Sequence, residues 1–311
     1  MSETHDEPNG LEPSLSDDGA MPSGLEPAIK PNYHELDGIS LSLLATLRIE
    51  EEPFVIPTCQ PATVVLGFGD RAYRYELANL KTGTRHPLTF PPDLLLAAVD
   101  ASGRYYLLGD DRRTLVRYTA DLQEEMRIPL RGQRDVTIGR DGNIYTWLFK
   151  SLELEAYDPA GHLLRVLDHI WAPYSLAVDE QGTIWLGEAS NCHVVELDPR
   201  TGDTLGYIDP KEDFTAENLF TYTYAMQFDR TGNLWTFNGQ GDVGMTIISP
   251  DKTKYIRFAS KDLGAEYQYS EPVPSPWNDE VYVVSENHTV SMFRPTLLDW
   301  KDIVPDINQE A

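Results

Sequence analysis

Residues 39–50 alternate with a period of two. Ile39, Leu41, Leu43, Ala45, Leu47 and Ile49 take one set of positions, and Ser40, Ser42, Leu44, Thr46, Arg48 and Glu50 take the other. A helix would repeat its apolar positions every three or four residues, so this alternation predicts a half-buried β-strand. Further along, short β-rich runs flank a recurring turn. Val99-Asp100-Ala101-Ser102-Gly103-Arg104-Tyr105-Tyr106 is matched by Gly139-Arg140-Asp141-Gly142-Asn143-Ile144-Tyr145. It recurs at Val178–Trp185 and Phe228–Trp235, and in degenerate form at Asn278–Tyr282. In each full copy Gly supplies the positive φ of a tight turn between two strands. The closing aromatics stand at 106, 145, 185, 235 and 282, separated by 39, 40, 50 and 47 residues.

Most units carry a second turn, as in Asp158-Pro159-Ala160-Gly161, Asp198-Pro199-Arg200-Thr201-Gly202 and Ser249-Pro250-Asp251-Lys252. An earlier unit fits the same plan, with strands over Thr63–Phe68 and Tyr73–Leu77 and a turn at Asn79–Gly83. Six units of about four strands, at this period, predict an all-β fold: a six-bladed β-propeller over 39–303. The alternating strand precedes the first complete unit. It is expected to supply the outer strand of the last blade, joining the two ends of the chain and covering an edge.

Residues 1–38 differ from the rest. Up to Glu35 they hold eight acids and one base, Lys30, with Pro8, Pro13, Pro22, Pro27 and Pro31. Such a stretch buries too little apolar surface to offset its ordering entropy, so it is read as a disordered acidic tail. Residues 304–311 form a short C-terminal tail. Gly-Leu-Glu-Pro occurs twice, at Gly10–Pro13 and Gly24–Pro27. It is either coincidence in a biased segment or a duplicated linear motif whose two copies raise avidity.

The repeat resembles the NHL-repeat and virginiamycin B lyase-like group of six-bladed propellers. The best copy runs from Gly182-Thr183-Ile184-Trp185 through Glu188 and Asn191 to Val194-Val195-Glu196-Leu197-Asp198, then Pro199-Arg200-Thr201-Gly202. Resemblance to virginiamycin B lyases implies an elimination assisted by a divalent cation such as Mg²⁺ or Ca²⁺, with His and Glu near the channel mouth. Glu188 and His193 in one blade, and Glu286 and His288 in another, lie in or beside equivalent strand 2–3 loops and are the candidates for that chemistry. The bland alternative is that Glu and His are ordinary in such loops. Resemblance to gluconolactonase-like propellers would imply a metal held on inner strands, yet Glu271-Pro272 is the nearest approach to their motif. These blade motifs carry fold more than chemistry.

Composition narrows the partners. The 25 Lys and Arg against 50 Asp and Glu leave a formal charge of −25. That argues against a nucleic-acid groove or docking on anionic lipid. No apolar run approaches a membrane span and no signal-like segment opens the chain, so the expected location is cytoplasmic. Cys59 and Cys192 are isolated, which suggests neither a disulfide framework nor a thiolate zinc site. No nucleophile elbow or phosphate loop is present; Gly67-Phe68-Gly69 reads as a strand-to-strand turn.

Three blade-to-blade connections are richer. They contain Trp171 and Tyr174; Glu217 and Tyr222; and Tyr267, Tyr269 and Glu271. Each joins an outer strand to the next inner strand, so they should share one rim. Aromatic rings beside carboxylates suit a cationic group; the same rings would also serve as wedges between blades. The expectation is a non-catalytic interaction propeller without a cofactor, binding a protein, a peptide or a cationic small molecule through this rim, with the tail as a possible second contact. The alternative is a lyase- or lactonase-like enzyme with a divalent cation at the channel mouth.

Overall fold

Each repeat folds into an antiparallel sheet because its turns are built from local chemistry. In the computed structural model the described residues are 33–36, 39–49, 54–68, 71–76, 84–131, 135–147, 153–168, 173–188, 194–208, 223–238, 244–252, 255–259, 272–285 and 288–297. β1 (Tyr33–Leu36) and β2 (Ile39–Arg48) come first. Blade 1 is β3 (Phe54–Pro57), β4 (Thr63–Phe68), β5 (Arg71–Glu76) and β6 (Thr84–Leu88). Blade 2 is β7 (Leu94–Val99), β8 (Tyr105–Gly109), β9 (Thr114–Tyr118) and β10 (Glu124–Pro129). Blade 3 is β11 (Asp135–Ile138), β12 (Ile144–Trp147), β13 (Glu153–Tyr157) and β14 (Leu163–Asp168).

Blade 4 is β15 (Pro173–Val178), β16 (Ile184–Glu188), β17 (Val194–Leu197) and β18 (Thr204–Ile208). Blade 5 is β19 (Thr223–Phe228), β20 (Leu234–Asn238), β21 (Gly244–Ile248) and β22 (Tyr255–Ala259). Blade 6 takes β23 (Pro272–Pro274), β24 (Val281–Ser285) and β25 (Thr289–Leu297), then β2 and β1 from the start of the chain, in the order β1-β2-β25-β24-β23. The alternating strand therefore closes the ring as its pattern predicts. β1 extends the blade by a fifth strand, inside the stretch that composition alone assigns to the tail.

Six apolar clusters, one at each blade boundary, form the core. Tyr106, Leu115 and Ile144 fill the boundary between blades 2 and 3, and Tyr145, Leu154 and Leu176 the next. Leu47, Val64 and Tyr282 join blade 6 to blade 1. The recurring turn is held by its first acid. Asp229 Oδ1 accepts from Thr231 N and Asn233 N at 2.9 and 3.0 Å, while Oδ2 accepts from Trp235 Nε1 at 2.8 Å. Asp100 does the same for Ser102 N, Arg104 N and Tyr106 OH. Blade 3 has Gly139 where blades 2, 4 and 5 have Asp100, Asp179 and Asp229. Asp141 fills the vacancy: its Oδ1 occupies the space a Gly139 Cβ would need, and its Oδ2 takes the Tyr145 hydroxyl at 2.6 Å.

Candidate functional site

The ring has two unlike ends. The strand 1–2 and 3–4 hairpins share one end, the turn face. The strand 2–3 hairpins and the blade-to-blade connections share the other, the connection face.

Bonds between non-neighbouring blades cross the turn-face mouth of the channel, and only residues near the axis can make them. Arg140 of blade 3 reaches past blade 4 to the carbonyls of Asp229 and Arg230 in blade 5, and its Nη2 also pairs with Glu180. Trp277 of blade 6 reaches past blade 1, donating Nε1 to the Val99 carbonyl of blade 2 at 3.2 Å. Between them, Arg230 makes a two-pronged pair with Asp279 at 3.0 and 2.7 Å, and Asn278 Nδ2 donates to the Thr58 carbonyl. These bonds tie non-neighbouring blades together across the turn face.

On the connection face, His288 sits in the strand 2–3 hairpin of blade 6, where its sequence position predicts. Its φ is +60°, its N–H donates to Ser285 O at 3.0 Å, and its carbonyl accepts from Ile49 N at 2.8 Å. The ring Nδ1 is shut off from water and has no hydrogen-bond partner among the described residues. Glu188 ends β16 at this face, in register with Pro173, and Tyr174 follows Pro173 in β15. The side chains of Glu188 and Tyr174 lie outside the described residues. So do His193 and Glu286, and also Trp171, Glu217, Tyr222, Tyr267, Tyr269 and Glu271. The strand ends that flank the three connections, β14 to β15, β18 to β19 and β22 to β23, all lie at this face. Among the described residues, no three His, Cys, Asp or Glu side chains come together as a metal-ligand set. His288 Nδ1 is a donor that a cation could use.

Sequence motifs miss a charged pair on this face. Asp135 is the first residue of β11, and its Oδ1 accepts from Arg112 Nη1 of blade 2 at 2.6 Å. Arg112 holds φ +54° in the strand 2–3 hairpin of its blade, and Leu130 N donating to Arg113 O at 2.7 Å fastens the outgoing connection beside that hairpin. Burial pushes the Asp135 carboxyl above the ordinary range, against the opposing pull of Arg112. Deeper in the same blade Glu155 is fully buried, accepting from Tyr157 OH at 2.8 Å, with Arg131 Nε 3.5 Å away. No helix among the described residues is long and apolar enough to cross a membrane.

No protein-family profile matches the chain, and no curated protein matches it in sequence. Solved structures do match. A catalytically inactive virginiamycin B lyase from Staphylococcus aureus, crystallised with quinupristin, superposes with a TM-score of 0.56 at 11% identity, over 82% of this chain and 99% of that one. A streptogramin B lyase gives 0.53 at 13% identity, over 84% and 87% of the two chains. A gluconolactonase from Xanthomonas campestris gives 0.57 at 17% identity, over 92% and 99%. At these identities the likeness is one of fold. The chain is a six-bladed β-propeller with the architecture shared by virginiamycin B lyase and gluconolactonase.

Proposed function

We propose that this protein is a binding propeller that takes a protein, a peptide or a cationic small molecule on its connection face. What supports this reading is that the strand ends flanking the three long connections, β14 to β15, β18 to β19 and β22 to β23, all lie at that face, while Arg140 and Trp277 tie blades together across the opposite one. The rim expected to make contact is Trp171, Tyr174, Glu217, Tyr222, Tyr267, Tyr269 and Glu271. A charge of −25 favours basic partners and speeds their encounter. The duplicated Gly-Leu-Glu-Pro of the tail would add a second point of attachment.

Photo-crosslinkers placed at Glu217 and at Gln181, on opposite faces, test this reading in the full chain. Adducts should form at Glu217 and be lost in the Tyr222→Ala/Tyr267→Ala double variant, with the melting temperature little changed. Equal adducts from both faces would overturn it. A melting temperature many degrees lower would make the two tyrosines blade wedges.

The unpartnered Nδ1 of His288 favours a second reading, an enzyme with a divalent cation held by Glu188, His193, Glu286 and His288. A ligand of the folded state raises its stability, so Mg²⁺, Mn²⁺ or Ca²⁺ should then raise the melting temperature and His288→Ala should abolish the rise. No shift with any of the three ions sinks this reading.

A further inference from the structure

Blades 3 and 4 turn from their third strand to their fourth through Gly161 and Gly202, both at positive φ. Blade 5 has Lys252 there, at φ +62°, a conformation that an L-residue adopts at a cost. From this turn the side chain runs back over the boundary with blade 4. Its Nζ lies over the rings of Trp185 and Phe228, 5.2 and 5.0 Å from their centroids. Among the described residues its one hydrogen bond is to the Pro250 carbonyl at 3.0 Å, and no carboxylate is within salt-bridge distance. Lys252 is half-buried, partly stripped of water and still open to a small molecule.

Blade 4 supplies acids beside this amine. Asp179 caps Gln181 N and Thr183 N through Oδ1, at 3.0 and 2.9 Å. In blade 5 the second oxygen of the equivalent Asp229 is taken by Trp235 Nε1. Trp185 makes no such bond. Its Nε1 is shut off from water without a partner among the described residues, and Asp179 Oδ2 is left unengaged among them. Glu196 stands directly across the ladder from Trp185, on the same face of the sheet. Burial first, then Asp179, push the Glu196 carboxyl above the ordinary range, which suits it to give a proton. Burial also pushes the Lys252 amine down, against the pull of Asp179, Glu196, Asp251 and Asp229. A lysine desolvated in this way is a nucleophile.

We propose that Lys252 is a covalent attachment site for small aldehydes without negative charge, with Asp179 and Glu196 moving the protons. Asp179 takes one proton from the ammonium. The freed Nζ pair forms a bond to the carbonyl carbon, and the carbonyl oxygen takes a second proton from nitrogen. Glu196 protonates the resulting hydroxyl, which leaves as water while nitrogen gives its pair to carbon. The product is a protonated imine whose positive charge stays over the two rings. The four surrounding carboxylates disfavour an anionic aldehyde. The site lies on the turn face and stands apart from the binding reading of the connection face.

The test treats the full chain with glyceraldehyde, or with glyoxylate as an anionic counterpart, in cyanoborohydride, which reduces imines to stable amines. Peptide mass spectrometry then follows every lysine over time. Lys252 should label about tenfold faster than Lys211 or Lys254 with glyceraldehyde, and that lead should shrink with glyoxylate. Asp179→Asn, which keeps the Oδ1 that caps the turn, and Glu196→Gln should each slow Lys252 about tenfold and leave Lys254 unchanged. The comparison among lysines needs no variant, so a variant that fails to fold leaves the test in place. The proposal is overturned if Lys252 labels no faster than Lys254, which would make it only a staple between blades, or if both acid variants label like wild type. An equal lead with glyoxylate overturns the substrate class.

Discussion

One buried carboxylate fastens blade 6 to blade 1 across the ring closure, and removing it gives a measurable prediction. Glu280 of blade 6 is 2% exposed. Its two oxygens accept from Ala62 N of blade 1 at 2.8 and 2.9 Å, and Oε2 also accepts from Tyr282 OH at 2.8 Å. Ala62 holds φ +53°, a conformation that an L-residue adopts at a cost, so the Glu280 bond helps to keep that turn in place. In Glu280→Ala the Ala62 N–H loses a charge-assisted partner, worth about 1.5–3 kcal/mol. The Tyr282 hydroxyl can turn to Thr63 O, already 3.3 Å away, so its loss is smaller, about 1 kcal/mol. The sum is about 2.5–4 kcal/mol, which for a domain of this size lowers the melting temperature by roughly 10 °C. Arg294, 3.6 Å from Oε1 and 53% exposed, should cost less than about 1 kcal/mol when changed to Ala. Urea melts followed by tryptophan fluorescence measure both. If Glu280→Ala loses under about 1 kcal/mol, or Arg294→Ala costs as much as Glu280→Ala, the closure argument is wrong.

Three further outcomes are expected. Gly161 has φ +87° and a Cβ there would meet Met126 Sδ at 2.5 Å, whereas Gly142 has φ +81° and open space; Gly142→Ala should cost about 1 kcal/mol of backbone strain and Gly161→Ala at least about 1 kcal/mol more, and equal urea midpoints would show that blade overlap carries no weight. Tyr145 donates to Asp141, and burial first, then that carboxylate, push its pKa far up. The folded state keeps the proton where the unfolded chain releases it, so this stability is present below about pH 10 and lost as the pH rises above it; the gap between wild type and Tyr145→Phe should shrink from pH 8 to pH 11, and a widening gap refutes the assignment. Arg140→Ala should cost about 2–3 kcal/mol in chemical denaturation, because it strips bonds from blades 4 and 5, and should leave connection-face crosslinking intact.

The blades were legible in the sequence because each is specified within a few consecutive residues. An acid, a Gly at positive φ and a closing aromatic suffice for the turn, as at Asp229, Gly232 and Trp235. The period-two pattern of 39–49 reported a half-buried strand, and the need to cover an edge assigned it to the last blade. His288 likewise fell where its hairpin position predicted. The local pattern also had limits. Trp185 closes its turn in sequence, yet its Nε1 has no hydrogen-bond partner among the described residues, and Lys252 from the next blade lies 5.2 Å from its ring.

The features that distinguish this propeller from a generic one join residues far apart in the chain. Glu280 meets Ala62, Trp277 meets Val99 and Arg140 meets Asp229 across 218, 178 and 89 positions. No motif spans such separations; closing the ring makes these residues neighbours. Asp135 follows the same logic. In the sequence it is one acid among fifty, at the start of an unremarkable strand. Its place on the innermost strand, within reach of Arg112, exists only after blades 2 and 3 have packed. Local backbone chemistry therefore sets the blades, and the packing of one blade on another sets the charged mouth.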